Sequence, residues 1–121
     1  MNQERDRSLH TLLDLDGFKY FVRGKGHRVQ FDVKTTEVLP ERPHAVKYLL
    51  TIHDAKGERI GGFDNAHPVR ASDGPGGPRH EYDHKHRFRT VRPYEYSDAA
   101  TLLEDFWKLA DDVLREEGVR L

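Results

Sequence analysis

The chain has 121 residues, a net charge of −1 at neutral pH, and hydrophobic and charged fractions of 36% and 34%. This length fits a single domain, 1–121, and the absence of cysteine excludes disulfides, thiol nucleophiles and cysteine-ligated zinc. No run approaches ~20 apolar residues and no secretory leader is evident, so we expect a soluble, cytoplasmic protein with no membrane contact.

The first predicted hairpin lies near the N-terminus. Residues 1–8 are polar and are expected to fray, and the leucines after them allow a short N-terminal helix ending at Gly17. Apolar residues alternate with polar ones over 28–34, which is typical of a strand with one face in water. This strand is expected to pair with the apolar run 18–22, because glycines punctuate the stretch between them.

A second predicted hairpin leads into a long loop. Alternation over 46–53 predicts a strand that returns, after a tight turn, through 58–64. Gly61-Gly62 in the return strand indicate a bulge or the close approach of another chain or ligand. Residues 65–80 contain three prolines and three glycines, so we expect a long Pro/Gly loop without regular structure.

A last strand and a helix complete the predicted fold. The strand spans about 83–91, and Ser97 is expected to cap a helix whose apolar stripe runs from Leu102 to Leu114. Gly118 is its natural C-terminal stop. The sequence therefore predicts an α+β fold: an antiparallel sheet of about four to five strands, packed by a long C-terminal helix.

Charge is distributed unevenly along the chain. From Asn65 to Arg92 there are six Lys/Arg against three Asp/Glu, whereas from Pro93 onward there are three against eight. Such a basic segment suits a phosphate-bearing ligand, or it complements the acidic segment of the same chain. Four of the eight histidines lie in the basic segment: His67, His80, His84 and His86.

One interpretation of these histidines is metal-free cleavage of RNA. In a strand, His84 and His86 share one face, about 7 Å apart. A neutral imidazole could take the 2′-hydroxyl proton while a protonated one donates to the leaving oxygen. The predicted catalytic residues are His84, His86 and His67, with Asp64 and His80 in support.

The expected phosphate-binding residues are cationic neighbours of these histidines. They are Lys85, Arg87 and Arg89. Strand alternation turns them away from His84 and His86, so one site that uses both sets needs a bulge or an edge.

Two other interpretations stay open. No cofactor is required by the first one, but a divalent metal is compatible with the oxygen and nitrogen donors of four residues: Asp64, His67, His84 and His86. Alternatively, the segment is a charged surface that docks on a partner protein without catalysis. Asp64-Asn65 could also be a turn pair in which Asn65 bonds the backbone.

A family resemblance rests on several short motifs in order. They are Ile60-Gly-Gly-Phe-Asp-Asn-Ala-His67, the Gly-rich loop, His84-Lys-His86, Tyr96-Ser-Asp and the Leu-Leu-x-Asp-Phe-Trp helix. Together they resemble the TumE-like toxins of toxin–antitoxin modules over roughly residues 18–115. Phe63 stands where that family carries tyrosine, which excludes a catalytic phenol at this position.

The resemblance implies a toxin paired with a small, often DNA-binding antitoxin. Small toxins of such modules are often ribonucleases, so RNA is an expected substrate by analogy at the level of the class. The sequence is also compatible with a homodimer.

Overall fold

The computed structural model describes residues 8–37, 45–65, 69–70, 79–80 and 83–121. Its elements, in chain order, are α1 (Leu9–Asp14), β1 (Lys19–Phe21), β2 (Arg28–Thr35), β3 (Val46–His53), β4 (Arg59–Asp64), β5 (Val69–Arg70), β6 (Arg79–His80), β7 (His84–Arg87), β8 (Thr90–Pro93) and α2 (Ala99–Glu116). No helix in these ranges is long and apolar enough to cross a membrane.

Six strands form one antiparallel sheet in the order β1-β2-β3-β4-β7-β8. The predicted α+β fold, with its C-terminal helix and short N-terminal helix, is therefore confirmed, with slightly more strands than expected. The extra strand arises because the run 83–91, predicted as one strand, turns back at Phe88 and Arg89 to pair β7 with β8. Phe88 adopts a left-handed φ of 53°. Aromatic residues rarely adopt this conformation, so the sequence does not predict a turn here.

Two local predictions differ from the structure. The N-cap of α2 is Asp98, whose carboxylate accepts from the Thr101 amide at 2.7 Å, whereas Ser97 was predicted to cap. Within the segment 65–80, which was predicted to be irregular throughout, the dipeptides of β5 and β6 pair as a two-stranded ladder. The prediction that residues 1–8 fray falls almost entirely outside the described residues.

The hydrophobic core lies between the sheet and α2. Phe31 on β2 packs edge-on against Phe106 of the helix, with ring centroids 5.1 Å apart, and both side chains are fully buried. Trp107 is half-buried and contacts the same Phe31 ring at 6.1 Å. Both aromatic residues of this helix segment therefore pack against the sheet.

The two glycines of β4 allow close approaches on two sides. A Cβ at Gly61 would lie 3.4 Å from the Leu109 side chain, so its absence lets α2 approach the sheet. A Cβ at Gly62 would lie 2.4 Å from the Leu50 carbonyl oxygen of β3. The predicted close approach is thus made by this chain's own helix and neighbouring strand.

Replacing Gly62 should therefore weaken the centre of the sheet. We expect Gly62→Ala to lower the free energy of unfolding by about 2 kcal/mol or more, because the methyl group collides with backbone that cannot rotate away. Urea denaturation followed by circular dichroism measures the change. The matched control is Gly57→Ala, where φ is also positive, at 86°, but the new Cβ meets nothing within 4 Å. Equal losses for the two variants would contradict the steric explanation.

Candidate functional site

The candidate site lies on the sheet face opposite α2, where β4 and β7 are neighbours. Asp64 is the cross-strand partner of His84, and Gly62 is the partner of His86. Paired residues place their side chains on the same face, so both imidazoles stand beside the carboxylate. Gly62 contributes no side chain to this face.

Both histidines bind the same carboxylate. His84 Nε2 lies 3.0 Å from Asp64 Oδ1, and His86 Nε2 lies 3.0 Å from Asp64 Oδ2. The two rings meet edge to face, with centroids 4.8 Å apart. All three residues are buried, and Asp64 is only 1% exposed. The predicted convergence of the two imidazoles is therefore present, and a buried carboxylate fixes it.

Arg59 completes the cluster and fixes one tautomer. Its Nη2 donates to His86 Nδ1 at 3.0 Å, and its Nη1 lies 3.5 Å from Asp64 Oδ2. A guanidinium is only a donor, so His86 Nδ1 must be the acceptor and its Nε2 must carry the proton shared with Asp64. Arg59 is 35% exposed at its side chain, so it is the part of this cluster that solvent reaches most easily.

A bulge brings Arg59 to this face. Arg59 and Asp64 are five positions apart, and regular alternation would place them on opposite faces. The β3–β4 register shifts between Ile52 and His53, so that His53 pairs with Arg59 and Ile52 pairs with Gly61. The extra residue reverses the alternation and aims Arg59 toward His86, as bulges commonly re-aim side chains beside functional sites. Gly61-Gly62 indicated a bulge or a close approach in this strand, but not that the extra residue is Ile60, so the sequence did not place Arg59 on this face.

Asp64 stays ionised despite its burial. Burial opposes the charged form, but the hydrogen bonds from His84 and His86 outweigh it and hold the pKa of Asp64 well below its usual range. The carboxylate is therefore a permanent acceptor at neutral pH. It can orient both imidazoles and stabilise the positive charge that either one gains on protonation.

The predicted cationic residues are divided between other surfaces. Lys85 and Arg87 alternate with the histidines along β7 and face the α2 side, where Arg87 forms an ion pair with Glu116. Arg89 lies exposed in the turn between β7 and β8. The structure thus brings Asp64, His84 and His86 together and leaves these cations outside the cluster. His67 lies outside the described residues, and for His80 only its backbone pairing in β6 is described.

Asn65, next to the site, has a structural role. Its Oδ1 accepts from the Tyr48 amide at 2.8 Å and its Nδ2 donates to the Val46 carbonyl at 2.8 Å. The side chain therefore continues the hydrogen bonding of β4 to β3 beyond Asp64. The expectation that Asn65 bonds backbone is confirmed, while Asp64 beside it holds the imidazoles.

Two phenols, one buried and one half-buried, hold the segments around β7. The Tyr48 hydroxyl donates to Asp83 at 2.6 Å, and the Tyr94 hydroxyl donates to Asp105 at 2.7 Å. Burial and the adjacent carboxylates raise the pKa of both Tyr48 and Tyr94, so the phenols remain protonated donors. Phe63, at the position where the resembling family carries tyrosine, packs on Tyr94 with centroids 4.6 Å apart, on the face away from the histidines.

Comparison with known protein families agrees with the resemblance seen in the sequence motifs. The family model described as Toxin TumE matches residues 11–114. The chain belongs to the TumE family. TumE membership supports a role as a toxin component, and it implies an antitoxin as partner. No curated protein and no solved structure matches the chain.

Removing the charge of Asp64 should destabilise the protein in a pH-dependent way. Asp64→Asn places an amide N–H against one of two imidazole N–H donors, so we expect a loss of about 1–3 kcal/mol at pH 7. Because the folded-state pKa of Asp64 is lowered, its contribution is complete above the unfolded pKa of about 3.9 and is lost as pH falls toward the folded pKa.

The gap between wild type and Asp64→Asn should therefore shrink below about pH 4. Urea unfolding at pH 7 and pH 3 measures it. Asp32→Asn, at an exposed position of β2, is the matched control and should change stability little at either pH. A gap that persists unchanged at pH 3 would contradict the ionised carboxylate.

Proposed function

We propose that this TumE toxin cleaves RNA, with Asp64, His84, His86 and Arg59 as its reaction centre. The observation that carries the proposal is the buried carboxylate that holds two imidazoles edge to face with an arginine beside them. Two imidazoles side by side can supply the base and the acid that transfer of a phosphodiester requires. The arginine supplies the positive charge that a phosphorane needs.

His86 is the proposed base. Its Nε2 proton is directed at Asp64, so Nδ1 holds the free electron pair, which Arg59 contacts. An arriving phosphate offers Arg59 a stronger, charged acceptor. Once Arg59 turns to it, His86 Nδ1 can take the 2′-hydroxyl proton of the RNA.

His84 is the proposed acid. The 2′-oxygen attacks phosphorus, the bond from phosphorus to the 5′-oxygen breaks, and protonated His84 donates its proton to that leaving oxygen. The products are a 2′,3′-cyclic phosphate and a free 5′-hydroxyl, so no water or oxidant is consumed. Asp64 is not itself protonated; it orients both rings and stabilises the imidazolium forms.

A metal-dependent nuclease is the second candidate, because one observation favours it. Asp64, His84 and His86 each offer a ligand atom, and these atoms all lie within 4.8 Å of one another. Two imidazoles and one carboxylate form a ligand set that leaves positions open for water and substrate. Binding would require the Nε2 protons of both histidines to leave, since those nitrogens would become the ligands.

Single substitutions in the cluster should slow cleavage strongly. We expect His84→Ala and His86→Ala each to lower the rate of cleavage of a defined single-stranded RNA by about 10²–10⁴-fold, which is the usual contribution of a general acid or base. Arg59→Gln should cost about 10²–10³-fold. Gel analysis of end-labelled RNA measures the rate. His10→Ala, at an exposed histidine of α1, is the matched control and should cleave like wild type.

If His84→Ala and His86→Ala cleave RNA like the His10→Ala control, the reaction centre is wrong. If wild type cleaves no RNA, the charged protein-docking surface becomes the better explanation of the segment.

Removal of metal separates the two catalytic candidates. The metal-free mechanism predicts that wild-type cleavage survives an excess of EDTA and yields a 2′,3′-cyclic phosphate. The metal-dependent mechanism predicts that EDTA abolishes cleavage, that a divalent ion restores it, and that Asp64→Asn weakens binding of the ion. Mass spectrometry of the cleaved ends provides a second measurement, since metal-activated water leaves no cyclic phosphate.

A further inference from the structure

The β7–β8 hairpin is strongly cationic and contains no acid. Residues 84–94 contain four Lys/Arg and no Asp or Glu, with the flanking acids at 83 and 95. The hairpin carries its histidines on one face of the sheet and its lysine and arginines on the other face and in the turn. A local surplus of this kind attracts a polyanion although the whole chain is nearly neutral.

A pocket on the face opposite the histidines gathers part of this charge. Lys85, Arg87, Thr90 and Arg92 line a cavity of about 160 Å³. Lys85 pairs with Arg92 and Arg87 pairs with Thr90 across the two strands, which places all four side chains on one face. Arg87 already binds a carboxylate there, that of Glu116, so its guanidinium is oriented for an anion.

An exposed aromatic ring stands at the tip of the same hairpin. Phe88 is 36% exposed, and the Arg87 guanidinium lies 5.5 Å from its ring centroid. The left-handed φ of 53° at Phe88 is a costly conformation for a phenylalanine in a turn. An open ring next to cations is the combination that proteins use to stack bases of single-stranded nucleic acid.

Addition of a peptide strand fits this hairpin poorly. β8 is the terminal strand of the six-stranded sheet, but it has only four residues and ends at Pro93, which has no amide hydrogen. Short, charged edges with proline resist strand pairing. Recognition at this hairpin therefore depends on its side chains.

We propose that the β7–β8 hairpin is a binding site for single-stranded RNA, separate from the histidine cluster. A backbone phosphate binds in the pocket formed by Lys85, Arg87 and Arg92, and an unpaired base stacks on Phe88. This inference rests on the proposed function in that RNA is the ligand. Because pocket and histidines lie on opposite sheet faces, the bound strand passes around the outer edge of β8 to reach the cluster.

Binding to a non-cleavable probe tests this site apart from catalysis. Fluorescence anisotropy with a labelled 2′-O-methyl oligouridine, which lacks the attacking hydroxyl, reports affinity for the wild-type protein. We expect Arg92→Gln and Lys85→Gln each to weaken binding several-fold and to reduce the salt dependence by about 0.7 in log–log slope. Phe88→Asn, which tolerates the left-handed turn, should weaken binding roughly tenfold. Lys56→Gln, at an exposed cation in the β3–β4 turn, is the matched control and should bind like wild type.

Glu116→Gln provides a test in the opposite direction. It releases Arg87 from its internal partner, so binding should become several-fold tighter; unchanged or weaker binding would count against Arg87 as a phosphate ligand. The proposal is overturned if the Arg92, Lys85 and Phe88 variants bind like Lys56→Gln, or if a labelled oligoglutamate binds wild type more tightly than the oligouridine does. Failure of the reaction centre looks different: wild type would cleave no RNA, or His84→Ala would cleave it like wild type, while probe binding stays sensitive to the hairpin variants.

Discussion

A single buried carboxylate organises the candidate site. Asp64 has a partner on each oxygen, His84 on one and His86 on the other, and Arg59 approaches from the exposed side. An ionised group that is 1% exposed persists only when its neighbours compensate the loss of water. The hydrogen bonds between Asp64 and the two imidazoles hold the rings in place. The same hydrogen bonds lower the pKa of Asp64.

Much of the architecture follows from side-chain periodicity. The alternation of β2 and β3 and the apolar stripe of α2 predict the elements and their buried faces, and the spacing of His84 and His86 predicts their common face. The place of Asp64 beside them depends on the register of β4 against β7, which a single sequence does not reveal. From the sequence alone, Asp64 could be proposed as a supporting residue only because it is a carboxylate.

The face that Arg59 occupies and the turn at Phe88 were not predicted for the same physical reason. Each depends on a local backbone conformation that the residue types there do not require. The glycines at 61 and 62 indicated a bulge or a close approach, but the position of the bulge at Ile60, which decides the face that Arg59 occupies, is not marked by residue type. The turn at Phe88 and Arg89 lacks the glycine or asparagine that usually marks a two-residue hairpin. In both places strand pairing overrides local preference, that of β3 with β4 at the bulge and that of β7 with β8 at the turn.

Side-chain alternation along β7 places its histidines on one face of the sheet and its cations on the other. His84 and His86 face the carboxylate, while Lys85 and Arg87 face the side of α2, where Glu116 and Phe63 lie. A single four-residue strand can therefore supply proton-transfer groups to one surface and fixed positive charge to another. The two histidines and the two cations of β7 therefore act on separate surfaces and do not share one compact pocket.

The side chain of Asn65 has a consequence for the chemical ageing of the protein. Its amide serves as donor to Val46 and acceptor from Tyr48, and no carboxylate can do both while ionised. Hydrolysis of this amide would set an oxygen against the Val46 carbonyl and bury a second negative charge next to Asp64. Deamidation at this one position would thus disturb both the β3–β4 pairing and the cluster of Asp64 and its histidines.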